Sequence, residues 1–406
     1  MSDSVPELPD HRRLGRELDL YATDPLAGSG LPLWLPDGAV IRAELEKLAA
    51  ASAAADGCQR VYTPVLAKRE LFERSGHWDK FADDMFPPML VGGEEYVLRP
   101  ANCPHHALVY AARQRSIRDL PLRLAEVAGM FRSELSGVLS GLSRVRQINL
   151  DDIHVFCAPD QVGGEVERAL RAIRRVHACL GVEVAGYRLS RRGGGAGYLG
   201  GDELWSAAEA QLAAALDRLG LPYADAPGEA AFYGPKIDVQ VRDAAGREES
   251  ISTVQVDFNQ PERFDLYYIG HDGGRHRPVM VHRGTVGAME RLVAYLLERY
   301  DGALPTWLSP VQVAVLPVAA DHRPAAAKLL DALRDNGIRA ELYDPVDSLG
   351  ARVARARGRR VPYQAVLGDR EADADAAMVR TRDGARRLLP IAELIAELRA
   401  RIAARD

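Results

Sequence analysis

The chain has 406 residues, more than one typical compact domain holds, so two or more domains are expected. Its 47% apolar and 27% charged composition is ordinary for a folded protein, and no apolar run reaches membrane-spanning length. The formal net charge of −5 argues against non-specific nucleic-acid binding but not against a local basic surface.

The opening MSDSVPELPDH is acidic and contains proline, unlike a signal peptide, and residues 1–10 read as a disordered lead. Cys58, Cys103, Cys157 and Cys179 make no CxxC pair and read as reduced thiols, which suits the cytoplasm. Residues 11–21 suit a short helix, 26–38 are turn material, and 39–55 carry Ile41, Leu45 and Leu48 at helical spacing. Residues 61–66 read as an edge strand. Pro64 has no N–H for a ladder, so the strand belongs at a sheet margin or a subunit contact. Residues 75–78 look like a loop and 96–100 like a short strand leading into Asn102-Cys103-Pro104-His105-His106.

Residues 131–154 then predict strand, loop, strand, with Ser-Gly pairs marking the turn and apolar alternation marking the arms. Residues 165–180 form an amphipathic helix with Val166, Leu170, Ile173, Val176 and Leu180 on one face. The glycine-rich 193–197 reads as a linker loop, and 202–219 as a further helix. Residues 231–238 and 253–258 set polar side chains among strand-like neighbours, as a sheet floor facing a cleft would. A strand at 278–283 precedes a helix at 284–297 that holds Glu290 and Arg291. Strands and helices in no regular βαβ order favour an α+β fold with an antiparallel sheet. After the proline-bounded stretch 304–310, strand and helix alternate to the end, which predicts a small α/β domain. Its helix around 352–360 carries Arg352, Arg355, Arg357, Arg359 and Arg360, which face either RNA or solvent.

Several residue types point to chemistry. Cys103, His154 and His282 are potential metal ligands at strand ends, and three such ligands leave one position of a tetrahedral zinc open. Buried or surface residues without metal are the alternative. Arg132 and Arg291 have the guanidinium forks that grip phosphate oxygens, or are solvated like most arginines. Asp151 and Asp152 are either a magnesium or hydroxyl contact or an ordinary turn.

Taken together, these pieces resemble the catalytic core and anticodon-binding domain of the threonyl-tRNA synthetases, a family of class II aminoacyl-tRNA synthetases. The resemblance runs from about His11 onward. It rests on DHRRLGRELDLY, SGHWDKF, RPANCPHH, LPLRLAEVAGMFRSELSG, LSRVRQINLDDIHVF, AFYGPKID, TVQVDF, HRGTVGAMERL, LPTWLSPVQV, RRVPYQAVLGDRE and VRTRDG. It implies a class II catalytic domain over 11–303, flanked by helices, and an anticodon-binding domain over 309–406. It also implies a homodimer, with Pro64 in the interface motif.

The resemblance assigns roles residue by residue. Arg132 would hold the ATP α-phosphate, Glu134 the adenine amino group, Arg144 a second ATP contact and Arg291 the γ-phosphate, with Mg²⁺ accompanying ATP. Cys103, His154 and His282 would ligate one Zn²⁺ per subunit, on which threonine binds through its amino and hydroxyl groups. Asp152 would accept from that hydroxyl, Tyr233 and Gln255 would line the pocket (Gln255 also on the ATP side), and Lys236 would lie near carboxylate and phosphate. His77 matches a residue linked to transfer onto tRNA, and Glu371 and Arg380 match anticodon readers.

The implied reaction is formation of threonyl-adenylate and transfer to tRNA(Thr), without the family's usual N-terminal domains, the one that hydrolyses Ser-tRNA among them. Within the site, Leu150 stands where the family usually has glutamine, Ile148 where an aromatic stacks on adenine, Ala101 for methionine and His105 for glycine. These departures motivate a second expectation: a paralogue that activates threonine or a related amino acid for a carrier protein, a biosynthetic pathway or inhibitor resistance. A third is a non-catalytic regulatory module.

Overall fold

A computed structural model describes residues 8–194 and 197–406. Residues 1–7 of the expected lead, and Gly195 and Ala196 of the expected linker loop, lie outside the described residues. The chain divides into two compact units. One comprises Thr23–Pro32 and Glu46–Leu292. The other comprises the described residues through Ala22 together with Leu33–Leu45 and Val293–Asp406.

The larger unit is built on an eight-stranded sheet. Its order is Tyr223–Pro227, Gly186–Arg191, Lys236–Arg242, Glu248–Asp257, Val279–Gly284, Gln147–Cys157, Leu122–Phe131 and Gln59–Arg60. The interior pairings are antiparallel, and only the outermost pair at each end is parallel. Side chains alternate across a strand, so each one divides its residues between two faces. On one face Ile153, Val155, Ile237, Val239, Val254, Val256 and Val281 pack under the helices Val162–Cys179 and Asp202–Arg218. Val166, Leu170 and Ile173 of the first helix, and Leu212 and Leu216 of the second, complete this core. The opposite face of the same strands is the polar one and carries the site.

Two glycines show how closely the backbone folds around that face. A Cβ at Gly234 would lie 1.9 Å from the carbonyl oxygen of Val256. At Gly287, where φ is +68°, it would lie 2.1 Å from the carbonyl oxygen of Ile251.

The sheet is antiparallel and helix-backed, as expected, but several local expectations change. Residues 61–64 are not a strand. Short strands Gln59–Arg60 and Leu66–Lys68 flank them, and the N–H of Thr63 is taken by the Glu126 carboxylate (3.1 Å) instead of a ladder. The expected loop at 75–78 belongs to two helices, Arg69–Ser75 and His77–Phe81, with Gly76 (φ +83°) turning between them. Cys103 does not end a strand: it opens the helix Cys103–Ala111, with Pro104 next to it in the first turn. His154 and His282 lie within strands, and Asp151-Asp152 is strand rather than turn.

The smaller unit holds a five-stranded sheet ordered Ala340–Leu342, Val313–Pro317, Tyr363–Leu367, Ala376–Thr381 and Arg386–Pro390. The first three strands are parallel and the last two antiparallel. Leu329 and Leu333 of the helix Arg323–Asp335, with Leu394 and Leu398 of Ile391–Ala404, share a core with Val313, Val315, Ala365 and Val379. Ala314, Leu316, Tyr343 and Ala356 form a second cluster that includes the helix Leu349–Gly358. Among the described residues, no helix is long and apolar enough to cross a membrane.

Candidate active site

A cleft of about 1120 Å³, open to solvent, lies over the polar face of the large sheet. Ile148, Leu150, Asp152 and His154 reach it from alternate positions of one strand. Sheet register then sets His282 opposite His154 and Gln255 opposite His282.

At one end, Cys103, His154 and His282 converge. All three are buried, and their ligand atoms lie within 4.8 Å of one another. His154 Nε2 is 2.9 Å from His282 Nδ1. His282 Nε2 is 2.9 Å from Asp257 Oδ2, and Asp257 is in turn fixed by the backbone N–H groups of Asn259 and Gln260. A carboxylate behind an imidazole holds its proton there and leaves the other nitrogen as a lone pair. Burial pushes the Cys103 thiol well above and the His154 imidazole well below their ordinary values. One sulfur and two imidazole nitrogens make a donor set suited to zinc.

Asp152 stands beside the cluster, with Oδ1 3.6 Å from His154 Nε2. Burial, reinforced by the charge of Asp151, pushes its carboxyl up to about 8. Asp151 faces the other way and accepts from the N–H groups of Thr285 and Val286. Tyr233 donates to Gln255 Oε1 at 2.7 Å, and its ring lies 5.2 Å from that of His282. Lys236 is held by both oxygens of Asp238, at 2.7 and 2.9 Å.

Two arginines also line the cleft. Arg132 is deep in the cleft, its guanidinium 5.1 Å from the Phe81 ring, and its buried Nε has no hydrogen-bond partner. Burial lowers its pKa, partly offset by the acidic groups of Tyr233, Glu134 and Asp84. Arg291, on the helix Met289–Arg299, reaches the cleft and donates to the carbonyls of Ser143 and Ser250. Its neighbour Glu290 braces the strand by accepting from the backbone and side chain of Asn149 (3.0 and 2.6 Å).

The remaining expected residues lie elsewhere. Glu134 and Arg144 sit in the loop between strands Leu122–Phe131 and Gln147–Cys157, where they pair with each other (2.8 Å) and do not line the cleft. His77 is buried behind the cluster, with Nδ1 2.8 Å from Ser75 Oγ and Nε2 3.8 Å from Cys103 Sγ. Burial first, and then the charge of Arg132, push its imidazole down to about 3. Glu371 and Arg380 belong to the smaller unit. Glu371 accepts from the Gly368 N–H at the start of the helix Asp369–Asp373, and Arg380 lies on the strand Ala376–Thr381.

The sequence reading missed Asp257 and Asp238, which hold His282 and Lys236. It also missed a buried group comprising Arg99, Asn102, His106 and Glu126, with the half-buried Thr63 bonded to it. A glutamate inside the apolar run LRLAEVAGMF was the available signal, since a buried charge needs partners.

An antiparallel sheet with such a cleft on its uncovered face is the architecture of the class II aminoacyl-tRNA synthetases. Residues 91–300 match the family model "tRNA synthetase class II core domain (G, H, P, S and T)", and 312–401 match "Anticodon binding domain". The chain is 50% identical over 374 residues to the threonine–tRNA ligase of Halalkalibacterium halodurans, covering 91% of this chain and 58% of that protein. The threonine–tRNA ligase of Staphylococcus carnosus is 50% identical over 375 residues, with the same coverage of both chains. A crystal structure described as the RNA binding domain of threonyl-tRNA synthetase from Cryptosporidium parvum superposes with a TM-score of 0.93 at 34% identity, over 96% of this chain and 98% of that one. The chain belongs to the threonyl-tRNA synthetase family. It spans 58% of the length of the curated relatives it matches.

Proposed function

We propose that this chain activates threonine with ATP and transfers it to tRNA(Thr), acting in the cytoplasm as a homodimer. Residues 11–303 would be its catalytic domain and 309–406 its anticodon-binding domain. One observation carries this reading: the buried Cys103–His154–His282 cluster and the unpartnered Nε of Arg132 face the same cleft.

In this reading Cys103, His154 and His282 hold Zn²⁺, which would supply a Lewis-acid anchor for the amino and hydroxyl groups of threonine. Asp152 accepts from the hydroxyl, and Tyr233 and Gln255 line the amino-acid pocket. Lys236 steadies the carboxylate. The carboxylate oxygen attacks the α-phosphorus of ATP, the bond to the bridging oxygen breaks, and pyrophosphate leaves. Arg132 balances charge at the α-phosphate and Arg291 at the γ-phosphate, with Mg²⁺ accompanying the nucleotide. Glu134 and Arg144 exchange their mutual pair for the adenine and a further ATP contact, and Gln255 contributes on the ATP side. A ribose hydroxyl of the tRNA then attacks the adenylate carbonyl and releases AMP, with His77 assisting. Glu371 and Arg380 read the anticodon. Tyr62, Val65 and Leu66, 75%, 40% and 42% exposed around Pro64, support the subunit contact.

Valine has the shape of threonine but lacks the hydroxyl, so it leaves a polar site unfilled and is rejected strongly. Serine lacks only a methyl, and the site discriminates against it by roughly 1–3 kcal/mol. The test is ATP–pyrophosphate exchange with threonine, serine and valine, then charging of purified tRNA. Exchange should fall in the order threonine, serine, valine, and Cys103→Ala should abolish it. Exchange that survives Cys103→Ala would refute the metal-based reading. A second reading, a paralogue that loads a different acceptor, is favoured by Ala101, Ile148 and Leu150, which all line the cleft. Threonine-dependent exchange without tRNA charging would select it.

A further inference from the structure

The hairpin Leu122–Phe131/Gln147–Cys157 is laddered as far as Phe131 opposite Gln147, and beyond that pair the arms part around the loop that holds Arg132, Glu134 and Arg144. The Arg132 N–H still reaches the Arg146 carbonyl, at 2.9 Å. A hydrogen-bonded antiparallel pair exchanges two such bonds. The Arg146 N–H, which would make the return bond, goes instead to the Gly30 carbonyl at 2.8 Å. Gly30 comes from Thr23–Pro32, a strap that belongs to the larger unit although the residues flanking it in the chain belong to the other. Its φ is +75°, and a Cβ there would lie 2.9 Å from Leu139 Cδ2 and 3.1 Å from the Arg146 nitrogen. The strap thus approaches the loop at a distance that suits glycine.

The Arg146 side chain extends the contact. Its Nε donates to the Glu134 carbonyl (3.1 Å), one terminal nitrogen to the Ser29 carbonyl (3.2 Å) and the other to Ser136 Oγ (3.3 Å). One guanidinium therefore ties the incoming arm of the loop to the strap. On that arm the Ser133 N–H also donates to the Asp84 carbonyl at 2.7 Å. The Glu134 carboxylate is engaged separately, by Arg144 at 2.8 Å. Arg146 grips the backbone of Glu134 and leaves its side chain to another partner. Three acceptors set around a planar fork suit arginine and not the single head of lysine.

We infer that Arg146, anchored on Gly30 and Ser29, is a positioning residue for nucleotide binding. This role rests on the reading that Arg132, Glu134 and Arg144 meet ATP. In that reading Glu134 releases Arg144 to take the adenine amino group. An arm placed by the Glu134–Arg144 pair alone would come loose at that exchange. Held through its backbone, Glu134 changes partner while the arm stays, so less of the loop has to be ordered when ATP binds. The Arg146 contacts involve none of Cys103, Asp152, His154 and His282, so the effect falls on the nucleotide and not on threonine.

The test compares the full parent chain with Arg146→Ala and Gly30→Ala in threonine-dependent ATP–pyrophosphate exchange. Affinity for ATP with Mg²⁺ is measured separately by equilibrium dialysis. Arg146→Ala should raise KM for ATP and weaken ATP affinity about 10-fold, while KM for threonine stays within about twofold. Gly30→Ala should act in the same direction, and the double variant should be no worse than Arg146→Ala alone, because both changes remove one anchor. Arg146→Lys should resemble Arg146→Ala. A merely structural role would move both KM values together. Unchanged ATP affinity in folded Arg146→Ala, or equal rises in the two KM values, would overturn this role. Should that variant not fold, the same results in Arg146→Lys would overturn it. If the parent chain binds ATP but shows no threonine-dependent exchange, the proposed reaction fails, and dialysis of the variants still decides the role of Arg146. A parent chain that binds no ATP overturns both.

Discussion

The half-buried Arg132 and the buried His177 both lie in the larger unit, and desolvation works on them in opposite functional directions. Arg132 stays charged, and its Nε without a hydrogen-bond partner leaves it poised for an anion. Arg132→Ala should lower threonine-dependent pyrophosphate exchange by about 10²–10³-fold, the usual loss of a transition-state charge contact. An unchanged exchange rate would remove Arg132 from the reaction. His177 is neutral, with a 2.8 Å contact to the Ser252 hydroxyl, and burial pushes it down to about 4. The unfolded chain takes up a proton near pH 6.5, while the folded chain refuses it until about 4. Stability is therefore lost as pH falls through this window, by up to about 1.4 kcal/mol per pH unit, and is unaffected above it. His177→Gln should give a shallower fall in melting temperature over that window than the parent chain. Neither environment is written locally. FRSELSG is legible as a motif, but the burial of its arginine comes from the sheet around it, and an isolated histidine in a helix gives no sign of its surroundings.

At the level of elements, legibility followed periodicity. The strand Gln147–Cys157 announced itself by alternation, and that alternation also sorted Asp152 and His154 into the cleft and Ile153 and Val155 into the core. Segments without a period were read less well. The helix His77–Phe81 is five residues long and follows a glycine, so it looked like a loop. Residues 61–64 looked like a strand because their apolar content fits one, while the hydrogen bond that displaces the ladder comes from Glu126, far along the chain. The basic helix Leu349–Gly358 was expected to face RNA or solvent, and Arg352 does neither. Arg352 is 1% exposed and donates to the carbonyls of Pro317, Tyr343, Val318 and Asp347. Arg355 pairs with Asp347, and Arg359, just past the helix end, pairs with Asp37 and Glu341. Arg357 is exposed. Arg352→Met should strand several buried carbonyls and destabilise the chain by roughly 3 kcal/mol in urea denaturation. Arg357→Ala should stay within about 0.5 kcal/mol of the parent. Equal effects of the two substitutions would contradict this contrast.

On the scale of the whole molecule, the exposed apolar residues at 62–66 bear on assembly. Isolated apolar side chains on a surface are normal, but Tyr62, Val65 and Leu66 are neighbours along one segment. On the proposed homodimer reading the parent chain should sediment as a dimer, and the double variant Tyr62→Glu, Val65→Glu as a monomer. If the two sediment alike, the contact lies elsewhere. Fold class and the antiparallel sheet were readable from strand and helix order, whereas the meeting of cluster residues was not, because register across the sheet sets it. His154 and His282 face each other although 128 positions separate them in the chain. Closing so long a loop is entropically costly and belongs late in folding. No early intermediate built from local hairpins contains this pair, although the hairpin Leu122–Phe131/Gln147–Cys157 can form without it. If the cluster takes the proposed zinc, its uptake in refolding should lag behind the recovery of secondary structure, because the last strands must first seat in the centre of the sheet.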